Sequence, residues 1–353
     1  MTKVLIGQDE RTVVYAEDFD ISVNNSGELN SINIARLFEE YSSIPVEIRF
    51  RDGVYDFVNT IKPKSDHTLI GIDTTLRFQD DFDEAIRFIH IESDSDGVRL
   101  EHLTIRTNDC DSCTDMIRVD GDDAFLSYLT LRDGLNDAIV VFGDRCRVVD
   151  CDINTDTNDN IQVQGDNALL QRNKVNDGSS GIYFLGTGTC LDFECSTHVR
   201  GLRTSTGGQA LFNRGIIGAV EGVRFQTGES TLSNTITTAG ARPLRLEAGK
   251  IVVSNCILNS YDNSFSAGNN NVFINIHAFP DSGADGLVTS SDNVSLTNFY
   301  VAVSGGGVGL DIGSTSDGVS ITNSYLNASG TGVALVNNGT NTRVSCVQGA
   351  SDL

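Results

Sequence analysis

The sequence predicts an all-β chain wound as a parallel β-helix, and three observations predict it. Short apolar segments recur every 20 to 26 residues from about residue 97 onward, among them Gly97-Val98-Arg99-Leu100, Asn167-Ala168-Leu169-Leu170, Lys250-Ile251-Val252-Val253 and Gly318-Val319-Ser320-Ile321. A fixed period of this size is the signature of a solenoid. The segments are rich in Val, Ile, Thr, Phe and Tyr and are separated by Gly, Asn, Asp and Ser, which favours short strands joined by turns over helices. Aligning the units also places Asn173, Asn213, Asn234, Asn255, Asn275, Asn298 and Asn323 in one column, interrupted by Glu194. Coils stacked about 4.8 Å apart would let such carboxamides hydrogen-bond up the stack. The recurring Leu and Asn/Cys frame of leucine-rich repeats is absent, and a propeller blade would need about twice the length.

The elements follow in order. Residues 1–45 form an N-terminal segment with one helix, expected over Asn30 to Tyr41, whose apolar Ile32, Ile34, Ala35, Leu37 and Phe38 would cover the open end of the first coil. Residues 46–353 form the β-helix, about twelve to fourteen coils in one elongated domain of roughly 60 Å. The run Val46-Glu47-Ile48-Arg49-Phe50, then Gly53-Val54-Tyr55, then Ser65-Asp66-His67-Thr68-Leu69-Ile70-Gly71 resembles the start of pectate-lyase-like right-handed β-helices. That resemblance covers residues 30 to 350 as architecture, and its motifs are structural.

Composition narrows the partners. The 353 residues carry 48 Asp and Glu against 25 Lys and Arg, net −23, with no Trp. Lys occurs only at positions 3, 62, 64, 174 and 250. Such an acidic, Lys-poor surface resembles that of proteins from extreme halophiles, where salt screens self-repulsion. Nucleic acid is excluded as a partner because phosphate binding wants a basic face. No apolar run is long enough to span a membrane, and the N-terminus does not read as a secretory signal. The acid is uneven. Residues 1–166 hold 35 acidic and 15 basic side chains, net −20, and residues 167–353 only 13 and 10, net −3. The nearly neutral second half is open to packing against a copy of the chain, to presenting hydroxyls and amides to sugars, or to being a plain solvated surface.

The cysteines read as core and loop. Cys146 and Cys190 share an apolar column two coils apart, as do Cys151 and Cys195, beyond disulfide reach, so they are expected to be small buried hydrophobes. Cys110-Asp111-Ser112-Cys113 is a lone C-x₂-C, open to a loop, a local disulfide or half a metal site.

In a solenoid, equivalent positions on successive coils are neighbours, so chemistry is sought down columns. Asp115, Asp137 and Asp159 are spaced 22 and 22 apart. Stacked carboxylates must gain protons, basic partners or a cation. With Asp109, Asp133 and Asp156 close by, the column is open to three readings: turn-forming Asp, a hard-cation site for Ca, Mg or Na, or an acid/base pair for glycoside hydrolysis carried by Asp137 and Asp159. No cofactor is otherwise required. Asp122, Asp144 and Asp166, each after Gly, read as turn chemistry without function. A further column places Ile161, Ile182, Leu202, Val223 and Leu244 inward, so that Gln162, Tyr183, Arg203, Arg224 and Arg245 point out. Arg200, Glu221 and Arg242 lie three positions earlier on their coils. Five arginines on one face of an acidic chain need anions: Glu221 supplies one, and the rest are open to two readings, a carboxylated or sulfated sugar, or an Arg/Glu surface ladder with bound salt ions. Tyr183 offers a ring for a pyranose.

Motifs of known β-helix enzymes are incomplete. Asn154-Thr155-Asp156 matches one element of the pectin hydrolases, but no adjacent Asp-Asp, Gly-His-Gly or Arg-Ile-Lys follows, and the Asp-Pro-His-Glu motif of mannuronan epimerases is absent. The five histidines, His67, His90, His102, His198 and His277, form no column. The chain resembles viral tailspike, tail-fibre or capsid-turret β-helices. That resemblance implies a virion-surface (or extracellular) structural protein that binds host cell-surface glycan, assembles as a homo-oligomer such as a trimer, and meets other virion proteins at its N-terminus or last coil, near Cys346-Val347-Gln348. The alternatives are a polysaccharide lyase or hydrolase acting on acidic polysaccharide, with Arg224 as its base beside the aspartates, and a non-binding spacer.

Overall fold

The computed structural model describes all residues except 1, 7–8, 80–85, 109–112, 135, 156–157, 197–198, 206–207, 227–228, 248, 260, 263, 267 and 346–353. Asp109, Cys110, Asp156, His198 and Cys346 therefore lie outside the described residues, as does the inner part of the C-x₂-C motif. The fold is a right-handed parallel β-helix of about 12 turns. Where one continuous domain was expected, contacts cluster into two compact units, 1–179 with 186–188 and 180–185 with 189–353. Each coil of a solenoid contacts mainly its neighbours, so contact density can divide along the chain.

In the first unit the parallel stacking reaches back before Val46. Strand Asp9–Tyr15 pairs with Val46–Phe50, which pairs with Thr68–Gln79. The helix runs Gly27–Glu40, three residues earlier than expected, because the Ser26 side chain accepts from the Leu29 N–H and caps it. Its inner face is partly polar. Ile34, Leu37 and Phe38 are buried, whereas Ile32 is 55% exposed and Ala35 also points to solvent. Buried Asn30, Ser31 and Asn33 take the remaining inner positions. Asn30 donates to the Asp56 carbonyl, and Ser31 Oγ accepts from the Val58 and Asn59 N–H groups, so the helix ties up backbone that the coil leaves unpaired.

One turn shows the plan of the rest: Arg147–Val149, Asp152–Asn154 and Asp159–Val163 are three short strands. Its corners are single residues in the left-handed backbone region, Arg145 at φ 57° and Asp150 at φ 56°. Another corner is a glycine column, Gly121, Gly143, Gly165 and Gly186, where each backbone lies directly on the carbonyl below. The aspartates that follow three of these glycines stitch the coils: Asp144 N–H donates to the Asp122 carboxylate and Asp166 N–H to that of Asp144, at 2.9 and 2.8 Å.

In the second unit Ile182, Leu202, Val223 and Leu244 stack in register and are fully buried, as the alternation predicts. A second row runs Leu211, Thr231, Val252, Val272, Ser295, Ser320 and Arg343. The asparagine ladder is present from Asn213 through Asn234, Asn255 and Asn275 to Asn298, each carboxamide NH₂ donating to the oxygen of the coil before at 2.8–3.2 Å. Asn173 does not belong to it. That side chain is buried, accepting from the Cys151 N–H and donating to the Val148 carbonyl. Backbone geometry explains the column: Asn234, Asn255, Asn275, Asn298 and Asn323 all have φ between 49° and 54°, which Asn tolerates better than most residues. Cys146, Cys151, Cys190, Cys195 and Cys256 are free and buried, with thiol pKa values raised by burial.

Candidate functional site

The arginine face lies in the second unit on strands Ser180–Phe184, Arg200–Thr204, Gln209–Phe225 and Ile236–Leu246. Tyr183, Arg203, Arg224 and Arg245 stand in register on successive coils, and Arg200, Glu221 and Arg242 form the neighbouring row. Glu221 sits at the centre, 3.3 Å from Arg200, 3.2 Å from Arg245 and 3.9 Å from Arg242. Two further residues complete the face. Glu247 bonds both Arg224, at 3.2 Å, and Arg245, at 2.5 Å, while Gln226 accepts from Arg203 at 3.2 Å. Each lies two positions beyond an outward arginine, so strand alternation alone could have found them.

Among the described residues, five arginines thus gather around two glutamates in a chain of net −23. The Arg245 Nε is buried with no hydrogen-bond partner among the described residues. Tyr183 corrects an expectation. Its ring is only 7% exposed, and the Arg203 guanidinium covers it, 4.3 Å from the ring centre. It is a platform that orients Arg203, not an open face for a sugar.

The aspartate column lies in the first unit. Asp115 and Asp137 are register partners, and the Asp159 N–H donates to the Asp137 carboxylate at 3.0 Å. Asp115 lies 3.5 Å from Arg87 and 3.8 Å from Arg118, so the chain supplies its own counter-charge there. Asp133 is likewise engaged by Arg106 at 2.6 Å. Among the described residues no three carboxylate, imidazole or thiol groups converge closely enough to hold a metal ion. Burial raises the pKa of Asp115, and burial, then the charges of Asp159 and Asp115, push that of Asp137 up to about 6 against the lowering effect of the Asp159 N–H. His90 and Asp120, 2.7 Å apart, and Arg118, 2.9 Å from Asp120, lie beside this column. Sequence reading passed over them because His90 has no histidine on adjacent coils.

A pH dependence follows. A carboxyl whose folded pKa exceeds its ordinary value near 4 binds more protons folded than unfolded, so stability falls as pH rises from about 4 to about 6 and stays lower above that. Asp137→Asn, which keeps an oxygen for the Asp159 N–H, should raise the unfolding midpoint at pH 7 by an amount worth about 1 kcal/mol after solvent screening, and change nothing below pH 4. Thermal unfolding at both pH values checks this; equal effects at both would show that the charge is not the cause.

No known family model matches the chain, and no curated protein matches it by sequence. Solved structures do match in fold. The mannuronan C-5 epimerase AlgE6 A-module of Azotobacter vinelandii superposes with a TM-score of 0.63 at 10% identity, covering 96% of this chain and 100% of that one. A tailspike protein of E. coli bacteriophage HK620, in complex with a pentasaccharide, has a TM-score of 0.63 at 10% identity over 95% of this chain and 80% of that one. PfbA, a surface adhesin of Streptococcus pneumoniae, has 0.61 at 11% identity over 92% and 91%. The fold thus places the chain among the right-handed parallel β-helix proteins. Those neighbours include an epimerase, a tailspike and an adhesin, so fold does not choose between catalysis and binding.

Proposed function

We propose that the chain is a glycan-binding β-helix of a virion or cell surface, and that the arginine face recognises a carboxylated or sulfated sugar. The observation that carries this is the placement of five arginines, on adjacent strands in register, around Glu221 and Glu247. Glu221 and Glu247 hold the guanidinium groups in position, and guanidinium groups held this way suit bidentate contact with an anion. Two of the neighbouring structures, a tailspike in complex with a pentasaccharide and a surface adhesin, are consistent with such a role. Binding should be read on immobilised alginate, polygalacturonate and dextran sulfate. Arg224→Ala, tested beside a thermal-unfolding control, should weaken it about 10- to 100-fold, the loss of a charged hydrogen-bonding group. Retained affinity in a folded Arg224→Ala protein would sink the reading, and absence of binding by the parent would leave a spacer.

The same reading includes self-association through the second unit. Ile216, Ile236, Ile257, His277, Tyr300 and Tyr325 form one outward row in register. Ile216 is 57% and Ile236 41% exposed, and Tyr300 stacks on Tyr325 at 5.2 Å. An apolar stripe of this length marks an interaction surface, and it lies in the half of the chain with net charge −3, where copies repel least. We assign it to a homo-oligomer, a trimer in the tailspike reading. Sedimentation should show an assembly that Ile236→Lys dissociates; a monomeric parent would remove this part.

One observation favours a second reading, cleavage of an acidic polysaccharide. Asp137, with its pKa near 6, stands beside Asp159 on the adjacent coil and is suited to hold a proton near neutral pH. A fall in the viscosity of alginate or polygalacturonate, abolished by Asp137→Asn, would establish it in place of binding alone.

A further inference from the structure

A corner of the first unit carries two side chains that its backbone disfavours. Across the fold this left-handed corner is occupied mainly by Asn or Asp, residues that tolerate it: Asp73, Asp150, Asp192, Asn234, Asn255, Asn275, Asn298 and Asn323, with Arg172 and Arg214 each paired to the Asp one coil before. On two consecutive coils it holds His102 at φ 55° and Tyr128 at φ 52° instead. Neither ring serves the core. His102 is exposed and Tyr128 is 52% exposed, yet the rings lie parallel, 4.6 Å between centres and 3° between planes. The next corner residue in the column is Asp150, which Arg172 holds at 2.6 Å. Aromatic rings ordered in solvent at a strained backbone position point to a use outside folding.

The neighbouring coil builds a wall opposite them. Between Ile70 and Thr74 the strand holds two more residues than its partner between Glu101 and Leu103, and the extra chain bulges outward. Its tip, Ile72, is 75% exposed. Between this bulge and the ring pair lies a groove of about 470 Å³, lined by Ile72, Asp73, His102, Thr104, Tyr128 and Thr130 among others. The lining combines an aromatic stack, an aliphatic wall, two threonine hydroxyls in register and a carboxylate.

We propose that this groove binds a neutral pyranose, its apolar C–H face against the His102–Tyr128 stack and Ile72 and its hydroxyls on Thr104, Thr130 and Asp73. Aromatic and aliphatic surface with a few convergent polar groups suits a small sugar. Charge sets the class: Asp73 lines the groove, with no Lys or Arg in its lining among the described residues, in the half of net −20, so an acidic sugar is repelled while hydroxyl donors are accepted. The site is separate in residues and in ligand charge from the arginine face and does not rest on that reading.

The chain has five histidines, so the ring resonances of His102 can be assigned by NMR with a His102→Gln variant. The full chain is titrated with the methyl glycosides of glucose, galactose and mannose and with N-acetylglucosamine. The expected result is a saturable shift of the His102 resonances by at least one of them. Tyr128→Ala and Ile72→Lys should each weaken that binding about tenfold, and Tyr128→Phe, which keeps the ring, by less than about threefold. Ile72 is exposed, so its substitution leaves the coil folded and keeps the test decisive if Tyr128→Ala does not fold. His102 resonances unmoved by every sugar, or a shift that survives both substitutions, would overturn the proposal. Acidic-glycan binding measured on the same sample reports the arginine face separately, so either site can fail alone.

Discussion

Gly143→Ala should cost at least about 3 kcal/mol and broaden or abolish cooperative unfolding. A Cβ at Gly143 would overlap the Gly121 carbonyl oxygen, and its carbon would stand only 2.6 Å away. Both are backbone atoms, so no rotamer change can make room. The coil must lift, and lifting it strains the bonds that stitch this corner, Gly143 N–H to the Val119 carbonyl and Asp144 N–H to the Asp122 carboxylate. Gly165 and Gly186 meet the carbonyls of Gly143 and Gly165 in the same way, so a displaced coil passes its strain along the column. The control is Gly240→Ala, where nothing lies within 4 Å of the added atom; it should change stability by no more than about 0.5 kcal/mol. Urea unfolding of the two variants compares them directly. Equal, small effects would mean that the glycine column is an accident of turn composition.

Phe212→Ala should cost about 3–5 kcal/mol, the range for emptying a large aromatic site in a packed core. Phe212 is fully buried, and its ring lies 5.5 Å from Phe184, 6.1 Å from Phe193 and 5.7 Å from Phe225. Phe184 adjoins Tyr183 and Phe225 adjoins Arg224 on their strands, so this cluster is the floor beneath the arginine face. The cavity should therefore loosen two of the strands that hold the guanidinium groups in register. Calorimetry checks the stability loss. A protein that loses less than about 1 kcal/mol would show that the coil collapses around the gap.

The two units treat charge differently for the same physical reason. In the first, acidic side chains are met coil by coil with arginine: Arg77 on Asp56, Arg145 on Asp123, Arg172 on Asp150. Those pairs are short but mostly solvent-exposed, and each contributes little by itself. In the second unit Arg214 meets Asp192 in the same way, but five other arginines are gathered on one face. That contrast makes the face around Glu221 a better candidate for recognition than the more numerous aspartates.

Much of this was legible in the sequence. The 20-to-26-residue period and the strand chemistry determined the solenoid. Inward Ile182, Leu202, Val223 and Leu244 determined which residues share the outward row, because alternation and coil spacing are local and periodic properties. The asparagine column was legible for the same reason, except at Asn173, where a buried backbone needed a partner and took the side chain inward. What only the tertiary structure decided depends on atoms far apart in sequence. It showed that Arg203 covers the Tyr183 ring, that Glu247 shares Arg224 and Arg245, that Arg87 and Arg118 answer Asp115, and that a two-residue bulge at Ile72 faces the His102–Tyr128 stack. Periodicity names the neighbours in a column, but side-chain rotamers, burial and local insertions determine which of them touch, and recognition depends on those contacts.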